Sequence, residues 1–179
     1  MIRRRTSLVV LVGALALGPS LCAAGRLPHT GERVEDFAFT DFAGTQHRLS
    51  DYAGHYVLLD FWATWCQPCL KEIPELKVAS QKFQARGLVI IGMNSDKKIE
   101  KALQYVQDYA ITWLQSSPSS TQEILKHSLK VKWYPTLILL GPQAKILVIS
   151  EGENAPLYGS ELLKTLDQAL PPPQGAHEH

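Results

Sequence analysis

Cysteine is scarce in this chain, with three among 179 residues, too few for the disulfide framework that holds many small exported proteins together. An excess of charge is missing too. Lysines and arginines number 18 against 17 acids, so no basic surface is offered to nucleic acid. Arg3, Arg4 and Arg5 lie at the extreme N-terminus, and without them the remainder is slightly acidic. There is no internal repeat and no long low-complexity segment. There is also no second close pair of Cys or His to complete a four-ligand zinc site. His177 and His179 sit in the tail, where they read as solvated polar residues, so neither a metal nor a cofactor is expected. The longest early apolar stretch, Leu8 to Leu17, is broken by Gly13 and is short against the roughly 20 residues of a membrane span. What remains is 45% hydrophobic and 20% charged, a globular composition sized for one domain.

The N-terminus has the order of an export signal: arginines, a short apolar stretch, then Pro19, Ser20 and the small residues Cys22, Ala23 and Ala24. Residues 1–24 are therefore read as a signal peptide cleaved after Ala24, or as an uncleaved N-terminal anchor. Either way the arginines stay cytoplasmic and the domain lies beyond the membrane, in the periplasm or an equivalent space. Membrane contact is expected only if the segment is uncleaved. Leu21 is bulky where a lipoprotein cysteine at Cys22 would want a small residue. Once the segment is gone, Cys66 and Cys69 are the remaining cysteines. A bridge closing so short a loop constrains the unfolded chain little, so chemistry is the better reason for the pair.

Patterning gives an ordered set of elements. Residues 37–40 and 45–49 read as a β-hairpin around Ala43-Gly44, and 49–52 as a helical turn ended by Gly54. Residues 56–62 form an apolar run interrupted only by Asp60, which predicts a buried central strand. Leu70, Ile73, Leu76 and Phe83 carry helical spacing over about 67–86, stopped at Gly87. A second buried strand is predicted over 88–93, then helices over 99–109, with Leu103 and Val106 inward, and over 122–129. Strands over 136–140 and 145–150 turn at Gly141-Pro142. A helix over 157–170 closes the domain, and 171–179, opening with three prolines, is read as a mobile tail. The class is α/β: a central mixed sheet flanked by helices, with an N-terminal hairpin extension.

The chemical centre is Asp60-Phe61-Trp62-Ala63-Thr64-Trp65-Cys66-Gln67-Pro68-Cys69. A buried strand runs to Trp62 and a helix opens near Cys66. A helix N-terminus has unpaired N–H groups and about half a positive charge, which lowers a thiol pKa and favours the nucleophilic thiolate. Cys66 is thus predicted as the exposed nucleophile, and Cys69, one turn on and deeper, as the resolving thiol. Together they form a redox-active disulfide. Pro68 suits the first helical turn. Asp60, a carboxyl in an apolar strand, is costly unless protonated or partnered and should have a raised pKa. Trp62 is predicted in the core, and Trp65 on the rim, touching substrate. Pro135, read alone, fits a trans turn proline, because X–Pro bonds in folded proteins are cis in only about 5–6% of cases.

The run from Val57 to Cys69 resembles the active-site signature of the thioredoxin superfamily in its exported TlpA-like form, a branch that includes reductants for cytochrome c maturation. The likeness covers about Gly31 to Leu170. Pro74, eight after Cys66, matches the proline that kinks the active-site helix. Tyr134-Pro135-Thr136 matches the loop whose cis-proline faces the disulfide, implying that Tyr134 and Pro135 bind substrate. The hairpin region from Gly31 to Tyr56, with Leu49-Ser50-Asp51-Tyr52-Ala53-Gly54, is similar to the extension of TlpA-like proteins. Asp60 follows the thioredoxin pattern, whose matching acid assists proton transfer at the second cysteine, so it is either that proton acceptor for Cys69 or a satisfied buried acid. Many TlpA-like chains lack an acid there, and Asp96 lies where such chains can carry another.

The resemblance implies a thioredoxin-like fold and a protein disulfide reductase, with disulfide-bearing client proteins and a membrane thiol–disulfide electron donor as partners. A monomer is expected. A disulfide-donating oxidase would use the same residues. A peroxidatic cysteine would need Pro and Thr or Ser where Leu59 and Ala63 stand. A copper carrier of this fold would have three residues between the cysteines and a distal His, for which only His127 is available.

Overall fold

Aliphatic and aromatic residues with neither Gly nor Pro make 56–62 a strand, and its neighbours show how central it is. The computed structural model describes residues 28–172. The predicted segment 1–24, Cys22, His177, His179 and the tail beyond residue 172 lie outside the described residues. The elements are β1 (Ala38–Thr40), β2 (Gln46–Arg48), β3 (Tyr56–Trp62), α1 (Gln67–Phe83), β4 (Leu88–Asn94), α2 (Ile99–Asp108), β5 (Leu114–Ser116), α3 (Pro118–His127), β6 (Thr136–Leu140), β7 (Ile146–Glu151) and α4 (Ser160–Ala169). Short 3-10 turns cover Leu49–Tyr52 and Gln84–Arg86.

The five-stranded sheet has the order β5-β4-β3-β6-β7. β3 pairs parallel with β4 and antiparallel with β6, so the sheet is mixed, as expected of a thioredoxin-like fold. β1 and β2 form the separate antiparallel hairpin. The segment before it returns to the main sheet, where Gly31 N–H donates to the Ile146 carbonyl at 2.8 Å.

Side chains on a strand alternate between faces, and β3 splits the core accordingly. Val57, Leu59 and Phe61 enter one cluster with Ile91, Met93 and Ile138. Leu58 enters the other, with Ile73, Leu76 and Phe83 of α1 and Leu162 and Leu166 of α4. Burying each large aliphatic or aromatic side chain contributes about 1.5–3 kcal/mol, so β3 is anchored on both faces. The same parity puts Asp60 on the side covered by α1 and α4. The 3-10 turn Gln84–Arg86 that continues α1 ends where Gly87 takes φ 82°, a left-handed conformation that glycine adopts without steric cost.

Four details differ from the sequence reading. β5 was not expected: it is three residues long, and beyond its ladder with β4 it makes only a single bridge, Ser116 to Asp41, among the described residues. α3 begins at Pro118 rather than 122, because the Ser117 side chain caps it by accepting from Ser120 N–H. α4 begins at Ser160 rather than 157. On α2 the fully buried residue is Ala102, while Leu103 and Val106 are half-buried.

Candidate functional site

β3 delivers the chain to Trp62, and the loop Ala63-Thr64-Trp65 turns it into α1. Cys66 is the N-cap of α1: its Sγ accepts the Cys69 N–H at 3.3 Å. The two sulfurs are joined in a disulfide with Cα atoms 5.3 Å apart. Pro68 occupies the first turn, where its missing N–H costs no helix bond. Pro74 lies inside α1, where it leaves the Leu70 carbonyl without its usual donor.

The expectation that Cys66 is exposed and Cys69 deep needs correction. Their residues are 4% and 3% exposed, respectively. Both belong to a small cluster with Trp62 and Ala102, against which Phe42, Tyr105 and Tyr134 pack. Exposure therefore does not tell the sulfurs apart. The difference lies in the helix: Cys66 sits at its end and receives an amide donor, while Cys69 is already inside the first turn.

The loop before Cys66 is fixed by a buried carboxylate. Asp96 accepts Thr64 Oγ1–H at 2.7 Å, Thr64 N–H at 3.0 Å and Asn94 Nδ2–H at 2.8 Å. Trp62 is buried, and its Nε1–H donates to Gln115 Oε1 at 2.8 Å. Trp65 stays 60% exposed and meets Tyr134 edge-on, centroids 5.3 Å apart. The Tyr134–Pro135 bond is cis, as the resemblance implied and the residues alone did not. Tyr134 Oη donates to Ser95 Oγ at 2.7 Å, which ties the proline loop to the end of β4.

On the face of β3 covered by α1 the fold buries two acids, Asp60 and Glu72. Asp60 is 6% exposed and accepts no hydrogen bond among the described residues. Burial, and then the charge of Glu72, push its carboxyl up to about 8. Glu72 was not singled out from the sequence. It is 2% exposed, and its oxygens accept the Gly159 N–H at 3.0 and 3.1 Å. Burial pushes Glu72 up to about 7 against that hydrogen bond, with Glu75 adding to the rise. A signal was available: Glu72 follows Cys69 by three, which puts both on one face of a helix. His127, the residue weighed for copper, is an exposed side chain of α3 paired with Glu123 at 3.4 Å.

The AhpC/TSA family profile matches residues 30–148. The chain is similar to the thiol-disulfide oxidoreductase ResA of Bacillus thuringiensis subsp. konkukian, 29% identical over 136 residues, covering 76% of this chain and 78% of the relative. ResA of Bacillus subtilis is 27% identical over 122 residues, covering 68% and 67%. Among solved structures, a thiol:disulfide interchange protein from Bacteroides sp. superposes with TM-score 0.70 at 27% identity, covering 84% of this chain and 97% of that one. The thioredoxin domain of a thiol-disulfide oxidoreductase from Bacteroides vulgatus gives TM-score 0.69 at 26% identity, covering 79% and 97%.

Proposed function

The chain belongs to the AhpC/TSA family of thioredoxin-like proteins and is a thiol–disulfide oxidoreductase, and from that premise we propose that it is an exported reductase of protein disulfides, working in cytochrome c maturation. The observation that carries this reading is the Cys66–Cys69 disulfide at the N-terminus of α1. In the reduced protein, the Cys66 thiolate attacks a client disulfide. A Cys66–client S–S bond forms, the client bond breaks, and the departing client sulfur takes up a proton. Cys69 then loses its proton and attacks Cys66 Sγ, closing the disulfide and expelling the second client sulfur. Two electrons pass to the client, and a membrane dithiol donor returns them. Asp60, with Glu72 beside it, is the acceptor for the Cys69 proton, because a carboxyl held near neutral pH is matched to that transfer. Trp65, Tyr134 and Pro135 form the contact face for the client chain. Residues 1–24 serve as the export signal or anchor, and 31–170 form the working domain.

The test has two arms. Cys66→Ala abolishes reduction of insulin, a fall of more than roughly 10³-fold if the nucleophile is essential, while Cys69→Ala accumulates mixed disulfides through Cys66. Equilibration in glutathione buffers then fixes the direction. A reductase lies at or below the glutathione poise of about −220 to −260 mV, and a value near −120 mV would make the protein an oxidase.

A further inference from the structure

The rim of the disulfide carries charge that the thiol chemistry does not use. Ser95 N–H donates to the Trp62 carbonyl at 2.9 Å, and its hydroxyl accepts from Tyr134. Asp96, the next residue, holds Thr64, two before Cys66. Lys97 and Lys98 follow at once, one and two residues from the carboxylate that holds the active-site loop, at about 3.8 Å of chain per residue. From the other side, Lys132 and Trp133 run directly into Tyr134, which meets Trp65. Lys101 stands one turn into α2.

These four lysines are exposed, and among the described residues none takes part in an ion pair or side-chain hydrogen bond. Asp96 is buried and committed to Thr64 and Asn94. The exposed acids nearby are Glu100 on α2 and, across Pro135, Glu151 and Glu153. On the near side of Pro135 the four lysines therefore meet one exposed acid, Glu100, and that side carries net positive charge. It also holds two exposed indoles, Trp65 at 60% and Trp133 at 67%, a residue type that supplies anchor contacts at interfaces.

We propose that this lysine and tryptophan rim is a docking surface for client proteins whose disulfide is flanked by acidic residues and an apolar side chain. The proposal rests on the oxidoreductase reading above and adds the charge of the client to it. Ammonium groups around a reacting sulfur raise the local concentration of a negative segment and speed its arrival, an effect that salt screens. The indoles then hold the apolar side chain beside Cys66. The same chemistry could meet an anionic lipid surface, but a membrane lying on this rim would cover the disulfide that the client has to reach.

The test uses the reduced full chain and two synthetic peptides closed by the same disulfide loop, one flanked by Asp and Glu with a single Leu, the other by Lys with the same Leu. Each rate is divided by the rate of the same protein with hydroxyethyl disulfide, which is neutral. The acidic peptide should react about tenfold faster than the basic one at low ionic strength, and the gap should close toward unity in about 0.5 M salt. Lys97→Glu with Lys132→Glu should reverse the preference. Lys126→Glu with Lys164→Glu, the same change in net charge on α3 and α4, should keep it. Equal rates for the two peptides, or a preference that both double variants shift alike, overturn the proposal. So does tight binding to vesicles rich in phosphatidylglycerol with no peptide preference, which would make the rim a membrane face. If hydroxyethyl disulfide itself is not reduced, the oxidoreductase reading falls first and this one with it.

Discussion

The fold buries one carboxyl after β4 and others on β3 and α1, and it treats them in opposite ways. Beside the disulfide, Asp96 is surrounded by donors from Thr64 and Asn94, so its burial is compensated and it works as a clamp on the loop. On β3, Asp60 accepts nothing among the described residues and feels the charge of a second acid, Glu72. An uncompensated buried carboxyl holds its proton to higher pH. The two regions show that burial alone does not decide what an acid does. A satisfied carboxylate positions the loop, and an unsatisfied one is available to exchange a proton.

The sharpest way to break this contrast is to change Asp60. Asp60→Asn should slow the release of client from the mixed disulfide by roughly 10²-fold, within the range of general base contributions. Single-turnover kinetics of closure on Cys66 would read it. Stability should move the other way. In the unfolded chain the carboxyl ionises near 3.8, whereas in the fold it is held to about 8. Below pH about 4 both states keep the proton and there is no penalty. From there to about 8 the folded state binds more protons, so stability falls as pH rises, and the loss is complete above that range. Asp60→Asn should flatten that slope and add on the order of 2–5 kcal/mol at pH 8. Glu72, held to about 7, should leave a smaller fall in the variant between about pH 4.5 and 7, and a fall as steep as in the parent would assign the whole slope to Glu72.

A smaller effect is expected on the compensated side. Asp96→Ala leaves the Thr64 N–H and hydroxyl without their buried partner, and hydrogen bonds to a charged group contribute about 1.5–3 kcal/mol each. A loss of about 3 kcal/mol in denaturant unfolding is expected, together with a few-fold fall in insulin reduction because Thr64 leads into Cys66. Thr64→Val removes only the hydroxyl contact and should cost about half as much. If Asp96→Ala instead slowed the resolving step as strongly as Asp60→Asn, the division of labour would be wrong.

Much of this arrangement can be read in the sequence, because apolar runs and turn formers coincide. β3 was placed residue for residue since 56–62 is buried on both faces, and the Cys66–Cys69 spacing falls at its end. What escaped had weak or misleading local signals. β5 is the short edge strand Leu114–Ser116, and its central residue is Gln115, a polar side chain that belongs inside because it accepts from Trp62 and donates to the Trp113 carbonyl. The first turn of α3, Pro-Ser-Ser-Thr, looks like a loop until Ser117 is seen to cap it. Glu72 was passed over because an acid on a helix is usually solvated. Only the packing of α4, whose Gly159 N–H it accepts, makes it a buried group. The near-equal burial of the two cysteines depends on Phe42, Tyr105 and Tyr134, which come from three distant parts of the chain.

The Gln115 contact also gives the mildest test of how the two regions are joined. Gly92 on β4 pairs with Asp60 on one side and Gln115 on the other. A Cβ at Gly92 would lie 2.1 Å from Gln115 Oε1 and 2.6 Å from its Cδ, too close for any side chain that stays put. Gly92→Ala must therefore push the Gln115 amide aside, and with it the acceptor that fixes the Trp62 indole. Overpacking of this kind costs about 1–3 kcal/mol, and losing one neutral hydrogen bond falls in the same range. The expected total is at the lower end, about 1–2 kcal/mol, because the obstacle is the end of a flexible side chain rather than backbone. The informative readout is spectroscopic: the buried Trp62 indole should change its emission while disulfide reduction falls less than in Asp60→Asn. If Gly92→Ala slowed the resolving step as much as the loss of Asp60, the glycine would be holding the carboxyl in place, and the unsatisfied acid would depend on the neighbouring strand more than its own lack of partners implies.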